Sequence, residues 1–339
     1  MMRFGLVGYG LFGRCHARCL ATTEGVELRA IATTSEANRA AAAADHPGAR
    51  VLADWRELVG AADIDAVDIV APNHLHAEMA IAALDAGKHV LLEKPMATSV
   101  EDAAAICEAV RRSGRQLSVG HELRLSAQWA PVKRLIDEGA IGTPRYVNLS
   151  LFRFPYRPGG GGWRRDPARV GSWILEEPIH FYDLIMWYLE RLGPPVSVQA
   201  RGTDVGSGMF DNFSSWLGFA GGAYATVTQS LAGFGHHLML EIAGSEGAMR
   251  SWWSAADARS DQPRFRLEVQ RAGASSPEVV EIPQSGELVE LAAQIREVAA
   301  AFAVGRTLVR AEAGRRAVVV CLEAERALRE GCQVPLDWA

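Results

Sequence analysis

The sequence predicts a parallel, doubly wound α/β domain followed by an α+β domain built on a mainly antiparallel open sheet. Three observations point there. Over roughly the first 120 residues, short apolar runs alternate with Ala-rich helical stretches. A G-x-G-x-x-G turn stands between the first apolar run and the first helical stretch. After about residue 122, the hydrophobic period drops to two and turn residues separate the runs.

The elements follow in order. Apolar runs at 4–7, 28–32, 66–70, 89–92 and 116–119 read as strands, and the stretches near 11–22, 36–44, 74–86 and 99–113 read as helices. Gly87 and Gly114 stand where helix C-caps place glycine. Strands that are apolar throughout predict a parallel sheet covered on both faces. RLSAQWAPVKRLIDEGAIG reads as a helix closing at Gly139, after which PRYVNLSLFRF, DNFSSWLGF, AYATVTQSL, HLMLEIAG, AMRSWW and RFRLEVQ alternate as strands do. The turn-like Ala220-Gly221-Gly222 and Gly244-Ser245-Glu246-Gly247 suggest antiparallel hairpins. A helix at about 178–191 interrupts the strands, and helices near 287–304 and 312–330 close the sequence. The expected division is into residues 1–122 and 123–339.

With 339 residues, 49% of them hydrophobic and 22% charged, the chain has the composition of a globular protein of two domains. A formal net charge of −5 gives no electrostatic reason to expect nucleic acid or an anionic membrane as partner. No run of about 18 apolar residues is present, so no membrane span is expected. The five cysteines lack a C-x-x-C pair and read as reduced thiols, and MMRFGLVGYG lacks a signal peptide's long apolar region. A cytoplasmic location is the expectation.

Gly8-x-Gly10-x-x-Gly13 lies directly after a strand and before a helix. Gly8 permits the tight turn, Gly10 lets the backbone approach a pyrophosphate, and Gly13 lets the helix pack close to the sheet. Leu11 and Phe12 lie within the same turn. The fingerprint calls for an acid about 20 residues on, to hold a ribose 2′-hydroxyl. This chain has Thr33, Thr34 and Ser35 there, with Arg39 one turn later. Hydroxyls and a guanidinium accept a 2′-phosphate more readily than a carboxylate would. Either NAD or NADP is expected, with a slight tilt to NADP.

Pro72 and Asn73 end one strand at the sheet's C-terminal edge, where doubly wound sheets bind ligands, and Lys94 leaves the next strand at that edge. At these residues the sequence resembles the Gfo/Idh/MocA oxidoreductases (glucose–fructose oxidoreductase, inositol dehydrogenase and relatives), over essentially the whole chain. Gly8 to Gly13 fits the family's opening, Ala71-Pro72-Asn73-His74-Leu75-His76 its T/A-P-N-x-x-H segment, and Glu93-Lys94-Pro95 its E-K-P signature. Arg124 stands where members carry a substrate-side arginine. GSWILEEPIHFYDLIMWYL resembles the D-x-x-x-H-x-x-D segment, with His180 and Asp183 in register and Glu176 in place of the first aspartate.

The resemblance implies a dehydrogenase or reductase acting on a sugar, cyclitol or glycoside, with Lys94 and His180 handling the proton and Glu176 supporting them. It implies a cofactor edge that includes Asn73, His76, Glu93 and His121, a substrate side with Arg124 and Asp183, and dimers or tetramers formed through the second sheet. Other members hydrolyse glycosides by transient oxidation with retained NAD, or bind dinucleotide or sugar without turnover. A base near neutral pH is what hydride loss from a carbinol needs, since the hydroxyl proton must leave too, and a partly desolvated lysine can supply it.

The segment RFPYRPGGGGWRRD, at 153–166, offers Tyr156 or Trp163 to stack on a sugar face and Arg164 or Arg165 to fix hydroxyls or an anionic group, or else it forms an oligomer contact. His236 is a further candidate for the same pocket. Glu177-x-x-His180 has the spacing of half a carboxylate-bridged metal site, but that design needs a second such pair, so no metal is expected.

Overall fold

Residues 1–204, 208–233 and 235–338 are described by the computed structural model, and the chain divides into two compact units. The first comprises Met1–Glu122, Gly160–Gly171 and Leu291–Val318. The second comprises Leu123–Gly159, Ser172–Glu290 and Val319–Ala339.

In the first unit, β1 (Met2–Val7), α1 (Leu11–Thr22), β2 (Val26–Ala32), α2 (Glu36–Asp45), β3 (Arg50–Leu52), α3 (Trp55–Gly60), β4 (Ala66–Ile69), α4 (His76–Asp85), β5 (His89–Glu93), α5 (Val100–Ser113) and β6 (Leu117–Gly120) follow one another. The strands form one parallel sheet in the order β3-β2-β1-β4-β5-β6. The order reverses between β1 and β4, so the loops after these strands open the crevice that binds ligands in such sheets. Alternate residues of β1 serve opposite layers. Phe4 and Leu6 join Leu20 of α1 and Leu28 in one buried cluster, whereas a Cβ on Gly5 would run into Leu58 of α3 at 2.5 Å. The first cluster is completed from far along the chain by Leu291, Ile295, Val298 and Phe302. Caps support the layers: Ser35 and Ser99 accept from Asn38 N–H and Asp102 N–H at the starts of α2 and α5, and Gly114 ends α5 at φ 64°.

The second unit begins with α6 (Ala130–Asp137) and β7 (Pro144–Arg153). After the short α7 (Pro167–Val170), which groups with the first unit, come α8 (Pro178–Tyr188), β8 (Pro195–Asp204), β9 (Phe210–Phe219), β10 (Tyr224–Ser230), β11 (His236–Gly244), β12 (Gly247–Ala255), β13 (Arg264–Arg271) and β14 (Glu278–Val280). The chain closes with α9 (Glu287–Ala303), α10 (Ala311–Glu330) and β15 (Val334–Pro335). The nine strands form one sheet in the order β14-β13-β12-β11-β7-β10-β9-β8-β15. Every pairing is antiparallel except β7 with β10. That pair departs from a plain run of hairpins, because β7 stands between β10 and β11 and separates two strands that are consecutive in sequence. Helix α8 lies against β7 and β10, buried on nearly every side.

Strands β3, β8, β14 and β15 and helices α3 and α7 go beyond the sequence expectation. β3, β14 and β15 are too short to establish a period of two. β8 opens on a proline and leaves Arg201 to Asp204 exposed, so its apolar alternation fades. Among the described residues no helix is long and apolar enough to cross a membrane. All five cysteines are free thiols.

Candidate active site

In the first unit the glycine turn has the geometry its spacing predicts. Gly8 sits at φ 102°, where L side chains are strained, and a Cβ there would lie 2.1 Å from Val70 O at the end of β4. A Cβ on Gly13 would lie 2.2 Å from Gly8 O, so the close approach of α1 to β1 requires that glycine too. Gly10 differs. Its φ is −77°, and a Cβ would meet nothing within 4 Å. Gly10 is the N-cap of α1 with no side chain to cap it, so the first amides of α1 are left for an anion, and Leu11 stands exposed beside them. This cradle fits a dinucleotide pyrophosphate. Phe12 is turned inward, edge-on to the His16 ring at 4.7 Å.

At the end of β2, Arg39 donates from Nη1 to the carbonyls of Thr33 (3.2 Å) and Thr34 (2.6 Å), which braces the loop that would face a ribose. Ser35 is engaged as the cap of α2.

Two strand-end segments are tied together on the same edge. His76, only 1% exposed, places Nε2 2.8 Å from Ala71 O and Nδ1 2.7 Å from Pro95 O. It thus links the turn after β4 to the turn that bears Lys94, whose bond to Pro95 is cis. Pro72 leads into the turn, and Asn73 is buried, with Nδ2 donating to Val170 O at 3.0 Å. Glu93 Oε2 accepts from the Lys94 backbone N–H at 3.3 Å. Lys94 is half-buried and His121 fully buried at the end of β6. The 160–171 segment belongs to this unit, so Trp163 and Arg164 group with the dinucleotide-binding residues. Their guanidinium and indole stack on each other at 4.7 Å.

Sequence reasoning missed a buried charge cluster here. His16 Nδ1 lies 2.8 Å from Asp68 Oδ2, and His16 Nε2 lies 3.5 Å from Glu93 Oε1. Burial opposes a charged ring, but the two carboxylates outweigh it and push His16 up to about 10. Asp68 is raised by burial, with His16 opposing. Burial also resists ionisation of Glu93, yet His16 and then Lys94 hold it below the usual carboxylate range. A legible signal was present: the lone acid in the apolar run AVDIV, since a carboxylate in a covered strand needs a cation.

In the second unit, Pro178 starts α8 and Glu176 and His180, 5% and 4% exposed, flank that start. Arg124 Nε and Nη2 donate to the two oxygens of Asp183, both at 2.7 Å, and its guanidinium also lies over the Trp187 ring at 5.3 Å. Glu177, the second acid before the helix, pairs with Arg153 at the end of β7 and with His236 Nε2, at 3.0 Å, at the start of β11. Burial resists its ionisation, but Arg153 and His236 hold it well below the usual carboxylate range. Arg153 also lies over the Tyr156 ring at 4.7 Å. The Tyr156 hydroxyl is buried and donates to Gln229 Oε1 at 2.8 Å, and burial, with Glu177, raises it well above the ordinary tyrosine value. Tyr156, Asp183 and His236 therefore each have a protein partner already. Arg153 and Gln229 are additions to the expected set. The signal for Arg153 was its place at a strand end beside the aromatic loop. Among the described residues no group of three or more His, Cys, Asp or Glu side chains could hold a metal.

Comparison with known proteins agrees with this geometry. Residues 2–121 match the model of an oxidoreductase family with an NAD-binding Rossmann fold, and residues 129–250 match the GFO/IDH/MocA C-terminal domain. The chain is 41% identical to inositol 2-dehydrogenase 3 of Saccharopolyspora erythraea over 191 residues, which is 56% of this chain and 54% of that relative, so the match spans about half of either protein. It is 31% identical to 1,5-anhydro-D-fructose reductase of Ensifer adhaerens over 252 residues, covering 74% of this chain and 75% of the relative. The fold is also that of a levoglucosan dehydrogenase solved with NADH and levoglucosan, with TM-score 0.83, 23% identity, and 98% and 99% of the two chains covered. The chain belongs to the GFO/IDH/MocA oxidoreductase family, with its NAD-binding Rossmann domain at residues 2–121.

Proposed function

We propose that the protein transfers a hydride between a secondary carbinol of a sugar, cyclitol or glycoside and a nicotinamide dinucleotide. The observation that carries the reading is the bracing of the Lys94 turn. His76 ties Pro95 O to Ala71 O, so Lys94 leaves β5 on the same edge as the glycine turn after β1. The names of the relatives, an inositol dehydrogenase and an anhydrofructose reductase, support the substrate class, as does the levoglucosan dehydrogenase of the same fold.

When bound, the dinucleotide accepts or returns the hydride at the nicotinamide ring. The uncapped amides of α1 at Gly10 hold its pyrophosphate. In oxidation, Lys94 Nζ takes the proton of the carbinol hydroxyl, a role for which a positioned base contributes about 10²–10⁴-fold. His180 is the second proton-transfer group, and Glu176 supports it. Glu177 is left out of the chemistry because Arg153 and His236 hold it. Arg124 and Asp183 shape the substrate side as a pair. The dinucleotide is NAD or NADP. Thr33, Thr34 and the nitrogens of Arg39 not used on the loop favour the 2′-phosphate of NADP. The sheet face that bears Tyr146, Tyr224 and Trp216, the last two 48% and 42% exposed, pairs subunits.

The test is absorbance at 340 nm with NAD+ and NADP+ against a panel of sugars, inositols and glycosides. A rise with one substrate class supports the reading, and tight dinucleotide binding with no rise on any of them sinks it. On the substrate so found, Lys94→Ala lowers turnover by ~10²-fold or more with dinucleotide affinity kept.

A further inference from the structure

Arg14 follows Gly13 on α1, is half-buried, and among the described residues makes no ion pair. Its guanidinium lies over the Tyr9 ring, 5.3 Å from the centroid, and its Nη2 lies 3.5 Å from Asn38 Oδ1 in the first turn of α2. We propose that Arg14 is a specificity-determining residue for the dinucleotide: from α1 it completes, with Arg39 of α2, a site for the 2′-phosphate of NADP. The proposal rests on the dinucleotide lying on the glycine turn, as in the hydride-transfer reading.

Tyr9 stands inside the glycine turn, 1% exposed. Its hydroxyl donates to Asp45 Oδ2 at 2.8 Å at the end of α2, and its ring lies edge-on to His46 at 5.9 Å. The ring is thus a fixed platform, and a guanidinium held over an aromatic face keeps its N–H groups for acceptors around it. The other end of the reach is fixed too, because Ser35 caps α2 directly after β2 by accepting from the Asn38 N–H. A dinucleotide on the glycine turn brings its adenosine ribose to the end of β2. Arg39 stands at that end as well, with Nη1 on the carbonyls of Thr33 and Thr34 and with Nε and Nη2 not used there. The acid that would hold a 2′-hydroxyl is missing from its position, which Thr33 takes, and Glu36 is exposed three residues further on. A phosphomonoester carries about −1.5 to −2 charges at neutral pH and accepts through three oxygens. Two guanidiniums at one strand end match that group, and a ribose hydroxyl needs neither.

The experiment is calorimetric titration of the full chain with 2′,5′-ADP and 5′-AMP, two nucleotides that differ only in the 2′-phosphate. Wild type should bind 2′,5′-ADP about tenfold or more tightly than 5′-AMP. Arg14→Gln keeps a side-chain amide for Asn38 and an apolar stem for Tyr9 but removes the charge, and should bring that ratio down by about tenfold, toward one. Arg14→Lys keeps the charge and should retain more of the ratio than Arg14→Gln. A wild-type ratio near one overturns the proposal, and so does a preference that Arg14→Gln leaves intact. Equal weakening of both nucleotides by Arg14→Gln also overturns it, since Arg14 would then only brace α1 against α2. Absorbance at 340 nm separates this proposal from the hydride-transfer reading. If wild type reduces NAD+ with a sugar and shows no preference for the 2′-phosphate, the role of Arg14 fails alone. If no substrate reduces either dinucleotide while the preference for 2′,5′-ADP depends on Arg14, hydride transfer fails and the 2′-phosphate site stands.

Discussion

Arg124 and Asp183 meet fork to fork: two guanidinium nitrogens each lie 2.7 Å from one of the two carboxylate oxygens, and the Asp183 side chain is only 1% exposed. Such geometry favours arginine over lysine. Removing one partner of a buried pair leaves the other charge uncompensated, at a cost of about 3–5 kcal/mol. Arg124→Ala therefore lowers the stability of the second unit by that order in urea unfolding followed by tryptophan fluorescence. Arg124→Lys, which keeps the charge and loses the fork, falls between. A variant of unchanged stability whose KM rises instead would make Arg124 a substrate ligand and not a brace.

The glycines of the turn separate in the same way. Gly8→Ala forces a non-glycine residue to φ 102° beside the Val70 carbonyl, a backbone strain of roughly 1–3 kcal/mol before the clash is relieved. Gly10→Ala meets no protein atom and costs at most about 1 kcal/mol as a poorer N-cap. Calorimetry should thus show a clear drop in Tm for Gly8→Ala and a small one for Gly10→Ala. Dinucleotide titration should show Gly10→Ala binding about tenfold or more weakly. Full affinity in Gly10→Ala would remove the pyrophosphate from this turn.

Arg39 can act on the cofactor or only on its own loop. Arg39→Ala should cut kcat/KM with NADP by about tenfold or more and leave NAD within about threefold. Equal losses with both cofactors would reduce Arg39 to a brace for the Thr33 and Thr34 carbonyls.

His16 also gives stability a pH dependence of definite sign. The ring is raised from an ordinary value of roughly 6.5 to about 10 in the folded protein, by carboxylates that outweigh its burial. The folded state thus holds the proton more tightly than the unfolded chain. Its stabilising contribution is whole below about 6.5 and is lost as pH climbs through about 10. Urea midpoints measured from neutral to alkaline pH should fall for wild type and fall less for His16→Gln. Parallel curves would mean that the ring is not charged in the native state.

The parallel sheet was legible because its inner strands are predominantly apolar, and the glycine turn because Gly8 and Gly13 meet backbone constraints that glycine alone satisfies. Side-chain partnerships were not. Tyr156 with Gln229, and Arg153 and His236 with Glu177, are pairs made across β7, β10, β11 and the start of α8. They depend on β7 lying between β10 and β11, and no local pattern reports the one parallel pairing that puts it there. Glu176-Glu177 shows the limit most clearly. Two adjacent acids look alike in sequence, and only the placement of Arg153 and His236 shows that Glu177 is the one that pairs with them.

The return of residues 291–318 to the first unit bears on the order in which the protein can fold as it is made. Leu291, Ile295, Val298 and Phe302 close the same cluster as Phe4, Leu6 and Leu20. A ribosome adding about 5–20 residues per second completes the β1–β6 sheet well before it reaches those four. Until then α1 and α2 alone cover that side of the nascent sheet, and part of the cluster's apolar surface stays open to water until the end of the chain arrives.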